Sequence, residues 1–200
     1  YPSLTFNRSG ELYGSNNTQD RLDKLDPCTC EITPVGPYGM ESNVVGITAD
    51  MGYDLFGVEN INDVLLAISK NTGTATVVGE LGVELEQSGA TWSDVDGLLF
   101  AINAGDDKLY TVDPATAVAT EVGPLTVGFG AVGIELHSTN SVLYACTSSE
   151  LYRVDRASGE ATEIGPISEA KCNNLAAPYT EITCPGWPPD GTTAETDPTD

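Results

Sequence analysis

The chain has 200 residues, enough for one domain with a sizeable core, and its 30 acidic against 8 basic residues give a formal net charge of −22. Nucleic acid is excluded as a partner, because phosphate binding needs clusters of Lys and Arg and the sequence has none. Direct membrane insertion is excluded too, since no apolar run approaches the roughly 18 residues of a spanning helix.

Along the chain, one pattern occurs four times. Each copy carries an apolar pair beginning with Leu and, some twenty residues later, the motif Thr-x-Val/Ile-Gly. The pairs begin at Leu12, Leu55, Leu99 and Leu143, and the motifs end at Gly36, Gly79, Gly123 and Gly165. A self-repeat of this period indicates one supersecondary unit copied along the chain.

Each copy is predicted to form four short strands. In the third copy the predicted strands are 90–92, 98–102, 108–112 and 118–122. They are rich in β-branched and aromatic residues and are separated by turns of Gly, Pro, Asn and Asp. No segment shows a helical apolar period, so an all-β fold is expected.

The packing of these sheets follows from neighbouring apolar residues such as Leu109-Tyr110 and Leu151-Tyr152. Such pairs point to opposite faces of a sheet, so both faces must be buried, as in a sheet between two similar sheets. This predicts a β-propeller of four four-stranded repeats, in preference to a single-sheet solenoid or a sandwich. The repeats are predicted at about 3–40, 41–84, 85–127 and 128–168.

The C-terminal part contains a further strand-like segment. Asn174-Leu175-Ala176-Ala177 copies the first-strand pattern of the repeats, so residues 172–184 are predicted to form a partial fifth blade or a closing strand of a domain spanning 1–184. Because an unfinished blade leaves open strand edges, this segment either packs on the ring or is completed by a neighbouring molecule. Residues 185–200 are predicted to be a tail or linker rich in Pro, Thr and Asp.

The clearest copy, LYRVDRASGEATEIG at 151–165, resembles the repeats of secreted β-propellers related to the WD40-like and quinoprotein-like groups. The resemblance covers residues 3–177 and implies the propeller architecture. It implies no single activity, because such propellers host sugar binding, adhesion, scaffolding and catalysis. The Trp-Asp signature and a quinoprotein docking motif are both missing, so no quinone cofactor is implied.

Five cysteines favour an oxidising compartment, and a secreted or cell-surface protein is expected. Cys146 and Cys172 are the preferred disulfide. Cys184 is expected to reach Cys28 or Cys30, and Cys30 is the candidate partner. The cysteine left over is either free or links molecules, while a zinc site at Cys28-x-Cys30 lacks the further ligands that zinc needs.

Two further features fit export. The chain starts at Tyr1 rather than Met, as a processed product would. Asn7 and Asn16 begin glycosylation sequons.

The polar turns suggest an oxygen-rich rim. Asp94-x-Asp96-Gly97 has the beginning of a calcium-loop spacing, and Asp106 and Asp107 lie in the next turn, so these four carboxylates are candidate calcium ligands. The same turns could bind sugar hydroxyls. The alternative is that Asn and Asp occur there only because turn geometry favours them.

Few residues offer other chemistry. His137 is the single histidine, and a hydrogen-bonded core role is expected for it. The run 128–133 matches a dinucleotide fingerprint in letters, but it leads into a predicted strand rather than a helix. No cofactor is expected apart from calcium.

The sequence therefore predicts a non-enzymatic structural or adhesion module that self-associates, as a subunit of an extracellular filament joined head-to-tail through residues 172–200. One alternative is a carbohydrate- or calcium-binding lectin with a glycan partner. Another is a lyase or hydrolase acting through His137 and rim carboxylates.

Overall fold

The computed structural model describes residues 1–167 and 171–185. They contain sixteen strands in four antiparallel four-stranded sheets, and within each sheet the strands are neighbours in sequence order. The sheets are arranged as a four-blade β-propeller, which confirms the predicted fold class. No helix in the described part of the chain has the length and apolarity to cross a membrane.

Within each blade the first strand lies nearest the axis and the fourth strand lies on the outside. Blade 1 consists of β1 (Ser3–Phe6), β2 (Leu12–Asn16), β3 (Arg21–Leu25) and β4 (Ile32–Pro37). Blade 2 consists of β5 (Val44–Ala49), β6 (Leu55–Glu59), β7 (Val64–Ile68) and β8 (Ala75–Glu80). Blade 3 consists of β9 (Gly89–Ser93), β10 (Leu98–Asn103), β11 (Lys108–Val112) and β12 (Ala119–Pro124). Blade 4 consists of β13 (Gly133–Leu136), β14 (Leu143–Thr147), β15 (Glu150–Val154) and β16 (Ala161–Pro166).

A bulge recurs between the third and fourth strands of every blade. Its register shift falls within Leu22/Asp23, Leu65/Leu66, Leu109/Tyr110 and Leu151/Tyr152. A bulge increases the local twist of a sheet, and the repetition gives all four blades the same outer curvature. The two third-strand residues that flank the bulge point to opposite faces of the sheet, and both faces are buried. Both residues are therefore apolar in blades 2, 3 and 4.

The hydrophobic core lies between blades rather than inside any of them. One cluster joins blades 1 and 2, a second joins blades 2 and 3, and a third joins blades 3 and 4. Leu22, Leu65 and Leu109 occupy equivalent positions in these clusters and are fully buried. Burying such a side chain contributes about 1.5–3 kcal/mol relative to leaving it exposed, so each blade is stabilised by its neighbour.

The two rims of the propeller differ in what they carry. The antiparallel order places the turns β2–β3, β6–β7, β10–β11 and β14–β15 on one end, together with the connectors between blades; we call this end the upper rim. The remaining turns lie on the lower rim. On the upper rim, the backbone N–H of Tyr38, Leu81 and Leu125 donates to the carbonyls of Asp20, Asp63 and Asp107 at 2.8–2.9 Å, so each connector is fastened to its own blade.

Candidate functional site

Residues 174–177 occupy a fifth position around the axis. At the inner strands, a Cβ on Gly46 would lie 2.7 Å from the backbone N of Ala90, and one on Gly89 would lie 2.9 Å from the carbonyl oxygen of Val132. A Cβ on Gly133 would likewise lie 2.5 Å from the carbonyl carbon of Asn174. The C-terminal segment therefore packs on β13 as each inner strand packs on the one before it.

The same segment meets blade 1 on its other side. The Asn174 side-chain oxygen accepts the backbone N–H of Leu4 at 3.1 Å, so β13 and β1 are joined through it. Residues from all four blades and Asn173 line a cavity of about 250 Å³ at the upper mouth of the axis. The ring thus has four complete blades and a fifth position filled by an extended segment, which has the strand-like pattern but none of the ladder pairing of a blade.

Two disulfides fix the path of this segment. Cys172 is bonded to Cys146 on the upper side, with Cα atoms 5.7 Å apart. The chain then descends along the axis and crosses the lower rim, where Tyr179 lies under the Arg8 guanidinium at 4.4 Å from ring centroid to Cζ. Cys184 is bonded to Cys28 in the β3–β4 turn, with Cα atoms 5.3 Å apart.

The candidate pairing of Cys184 with Cys30 is wrong. In the turn after β3, the Asp26 carboxylate accepts the backbone N–H of Cys28 at 2.7 Å and of Thr29 at 3.0 Å. Cys30 ends this turn in the left-handed region, with φ 60°, and its thiol is free and exposed. The conformation of the turn therefore selects Cys28 as the partner of the C-terminal segment.

No described residue covers the sector outside residues 174–177, which we call the open sector. In blades 1–3, the face toward the next blade (the trailing face) is covered by that blade's core. In blade 4 the trailing face presents Tyr144, Leu151 and Ile164, and Ile164 is 54 % exposed. The open sector is bounded on its other side by Tyr1 and Ile32 of blade 1, which are 44 % and 47 % exposed.

The four candidate calcium ligands are not brought together. Asp94 and Asp96 follow β9 on the lower rim, whereas Asp106 and Asp107 follow β10 on the upper rim, because successive antiparallel turns fall at opposite ends of a blade. Among the described residues, no group of three or more His, Cys, Asp and Glu side chains could hold a metal ion.

Each of these carboxylates has a partner within the protein. Asp94 pairs with Arg8, and Asp96 pairs with Arg156 at 2.9 Å. Asp106 accepts the Tyr110 hydroxyl at 2.6 Å, and burial together with this hydrogen bond raises the pKa of that tyrosine. Asp107 accepts the backbone N–H of Phe129 at 2.7 Å. Their positions are therefore explained by turns and inter-blade contacts.

The two sequon asparagines are engaged in hydrogen bonds. Asn7 is fully buried, and its amide donates to Glu11 at 2.8 Å. The folded protein therefore does not offer Asn7 for glycosylation. Asn16 is half-buried and donates to Asp23 at 2.8 Å.

His137 lies at the lower end of β13. Its Nδ1 accepts the backbone N–H of Thr139 at 3.2 Å, and its ring meets Tyr144 edge-on with centroids 6.2 Å apart. The catalytic hypothesis required an open pocket and a carboxylate bonded to this imidazole. Within residues 1–167 and 171–185, no carboxylate is hydrogen-bonded to this imidazole.

Glu135 is a buried carboxyl group that no sequence motif marks. Its carboxyl group lies between inner strands, where Thr91 donates to it at 3.4 Å and the backbone N–H of Ala177 bonds to it. Burial raises its pKa to about 8, because the charged form loses hydration. Its position beside Ala177 depends on the course of the C-terminal segment, which no pattern around residue 135 reveals.

Comparison with known proteins supports the architecture. No family model and no curated protein matches the chain. Among solved structures, it is similar to a protein of unknown function from Bacteroides thetaiotaomicron, with a TM-score of 0.66 and 13 % identity over 87 % of this chain and 53 % of that one. It is also similar to virginiamycin B lyase from Staphylococcus aureus, with a TM-score of 0.59 and 19 % identity over 86 % and 57 % of the two chains.

A third similar structure is the nidogen/laminin complex, with a TM-score of 0.65 and 14 % identity over 88 % of this chain and 67 % of that one. At these identities the likeness shows the fold, a β-propeller, and no activity. The chain spans about half the length of the first two solved structures.

Proposed function

We propose that this chain is a non-enzymatic, secreted or cell-surface module with a structural or adhesive role, which binds a macromolecular partner at the open sector. The observation that carries this proposal is the trailing face of blade 4, which no described residue covers. Ile164 is 54 % exposed there, whereas its equivalents in blades 1–3 are partly buried against the next blade. Exposed apolar patches of this kind are typical of interaction sites.

Extracellular location is supported by the two disulfides, because such bonds persist in oxidising compartments. The nidogen/laminin complex offers a precedent for a similar fold in a complex between proteins. Virginiamycin B lyase offers a precedent for an enzyme on a similar fold, and the open sector is what favours a binding role here.

Assembly into filaments through the C-terminal segment is the narrower form of the proposal. Residues 171–185 pack on their own domain and are tied to it by both disulfides, which favours the open sector over this segment as a point of attachment. The rest of the proposed connector, residues 186–200, lies outside the described residues.

Surface plasmon resonance tests the proposal, with the full chain injected over immobilised copies of itself and over laminin. We expect saturable binding to one of these surfaces that Ile164→Asp abolishes. Val77→Asp is the matched control, because Val77 also lies on a fourth strand and is 51 % exposed. Binding to neither surface, or equal binding by both variants, contradicts the proposal.

A lectin is the second candidate, favoured by a cavity of about 410 Å³ on the upper rim. Glu84, Glu86, Asn103, Asp106 and Tyr110 line it, and this mixture of acceptors with an aromatic ring suits sugar hydroxyls. Retention on a glycan array, lost in Asp106→Ala, would support this candidate. Loss of thermal stability in a chelator would indicate that calcium takes part.

A further inference from the structure

Blades 1–4 are joined by one backbone hydrogen bond that recurs. The carbonyls of Tyr38, Leu81 and Leu125 accept the N–H groups of Ala75, Ala119 and Ala161 in the next blade, each at 2.9 Å. Ile167 is the equivalent residue of blade 4, since its own N–H donates to Ser149 as those of Tyr38, Leu81 and Leu125 donate to Asp20, Asp63 and Asp107. The Ile167 carbonyl accepts no backbone N–H among residues 1–167 and 171–185.

A second recurring contact involves the glycine of the Thr-x-Val/Ile-Gly motif. A Cβ on Gly36, Gly79 or Gly123 would lie 2.1, 2.9 or 2.2 Å from a carbonyl oxygen in the next blade's turn between its third and fourth strands. These oxygens belong to Thr72, Thr116 and Ser158. A Cβ on Gly165 would meet no atom of the described residues within 4 Å. Blade 4 therefore has the glycine that would contact such a turn, and no described turn lies against it.

The apolar contacts of the trailing face repeat in the same way. Val35, Val78 and Val122 pack into the next core cluster, and Ile164 is their exposed equivalent. The trailing face of blade 2 carries Phe56, Leu65 and Val78, which is an aromatic residue, a leucine and a β-branched residue. Tyr144, Leu151 and Ile164 repeat this chemistry in blade 4.

We infer that the open sector takes the outer three strands of a blade from another polypeptide, as a β-meander. Only three strands are needed, because residues 174–177 already fill the innermost position. The first strand of the meander would pair with 174–177 by strand addition. Its last strand would donate an N–H to the Ile167 carbonyl, and its final turn would rest on Gly165, which continues the series of interfaces between blades. This inference rests on the proposed function and names the partner of the same site.

The described residues bypass this space. After residue 177 the chain crosses the lower rim to Cys184, which is held at the outer turn of blade 1, so the described residues do not return to the sector. A second copy with its ring intact would not supply the meander, because its blades are already packed on one another.

Blade 1 sets the chemistry of the meander's far face. Asp23 occupies the position that Leu66, Tyr110 and Tyr152 fill in the other blades. Its carboxylate is bonded to the Tyr1 hydroxyl at 2.7 Å and to the Arg21 guanidinium at 2.6 Å, which places a polar group on this side of the sector beside the exposed Ile32. The meander is therefore apolar toward blade 4 and of mixed character toward blade 1.

A synthetic peptide with the sequence of residues 98–124 is the probe, because this segment fills the equivalent space beside blade 2. Fluorescence anisotropy of the labelled peptide is measured against the full chain at about 0.15 M salt, which screens the charge of both. We expect saturable binding that Ile164→Asp weakens by at least ~10-fold, about 1.4 kcal/mol. Val77→Asp is expected to change binding by less than about twofold, since it lies outside the sector.

A second experiment attaches the segment covalently to the chain, so that its result does not depend on whether the free peptide folds. The same segment is fused after Asp200 through a flexible linker of about 15 residues, which spans roughly 20 Å. Docking is expected to slow hydrogen exchange at 164–167 and 174–177 and to raise the melting temperature, and Ile164→Asp reverses both effects. A fused segment that leaves exchange at these residues unchanged overturns the inference.

The two proposals fail in different ways. If the meander does not dock but the full chain still binds laminin or itself in an Ile164-dependent manner, the adhesive role stands and the strand-donation mechanism is wrong. If the meander docks but the chain binds neither surface, the sector accepts a blade and the proposed adhesion is wrong.

Discussion

Gly133→Ala tests whether residues 174–177 close the ring. The added Cβ would lie 2.5–2.7 Å from three backbone atoms of Asn174, closer than such atoms approach one another in proteins. The backbone conformation of Gly133 suits alanine, since its φ does not lie in the left-handed region. The steric effect on the C-terminal segment is therefore isolated from any backbone strain at the mutated residue.

The magnitude follows from two opposing effects. Overpacking of a well-packed site costs about 1–3 kcal/mol, while replacing Gly by Ala stabilises by about 0.4–1 kcal/mol through the unfolded chain. The free energy of unfolding should therefore fall by up to about 2.5 kcal/mol, which lowers the melting temperature by up to about 10 °C at this chain length. Gly130→Ala is the control, because a Cβ there meets no atom of the described residues within 4 Å, and it should be neutral or slightly stabilising.

Urea unfolding followed by circular dichroism gives the change in stability, and hydrogen exchange shows where it arises. We expect faster exchange at the Leu4 N–H, which donates to Asn174, in Gly133→Ala alone. Equal stability of the two variants, with unchanged exchange at Leu4, would refute the placement of the C-terminal segment beside β13.

Three further predictions concern the stability of the ring: its disulfides, its core packing and a buried carboxyl group. Replacing Cys28 and Cys184 by Ser should lower the free energy of unfolding by about 5 kcal/mol, and replacing Cys146 and Cys172 should lower it by about 3.5 kcal/mol. The first loss is larger because that disulfide spans 156 residues and the second spans 26. Urea titrations of both variants measure this difference, with Cys30→Ser as the control. Leu109→Ala should cost about 2–5 kcal/mol in the same assay because the side chain is fully buried, whereas Val118→Ala, at a position 53 % exposed, should cost less than about 0.5. Glu135 keeps its proton in the folded state up to its pKa of about 8 but loses it near 4.5 when unfolded, so stability should fall as the pH rises between these values. Urea midpoints from pH 5 to 8 should show a weaker decline in Glu135→Gln, and parallel curves would contradict the burial of this carboxyl group.

The repeats made the architecture predictable. Motifs such as the Leu-Tyr pairs and the Thr-x-Val-Gly glycines recur because each blade packs on the next through the same contacts, so their period identified the four-stranded unit. The inner-strand pattern of Asn174-Leu175-Ala176-Ala177 likewise predicted a closing segment. The choice between Cys28 and Cys30 could not be made, because it depends on the conformation of one turn.

The candidate site was less accessible to sequence reasoning. Proximity along the chain suggested that Asp94, Asp96, Asp106 and Asp107 gather, but intervening strands send their turns to opposite rims. The exposure of Ile164 could not be seen either, because its motif is the same as in blades whose valine is covered. What differs is the absence of a described neighbour, which only the three-dimensional arrangement reveals.

The bond between Cys28 and Cys184 changes how the molecule would respond to tension. A force pulling on residues before Cys28 and after Cys184 enters the molecule at one cysteine and leaves at the other, through a covalent bond. Residues 29–183, and with them blades 2, 3 and 4, are then outside the line of force. Stretching can unravel β1, β2 and β3, but it cannot extend the enclosed chain while the bond is intact. Such a bond suits a protein anchored between two attachment points, because residues 29–183 are not extended under loads that would stretch an uncrosslinked chain.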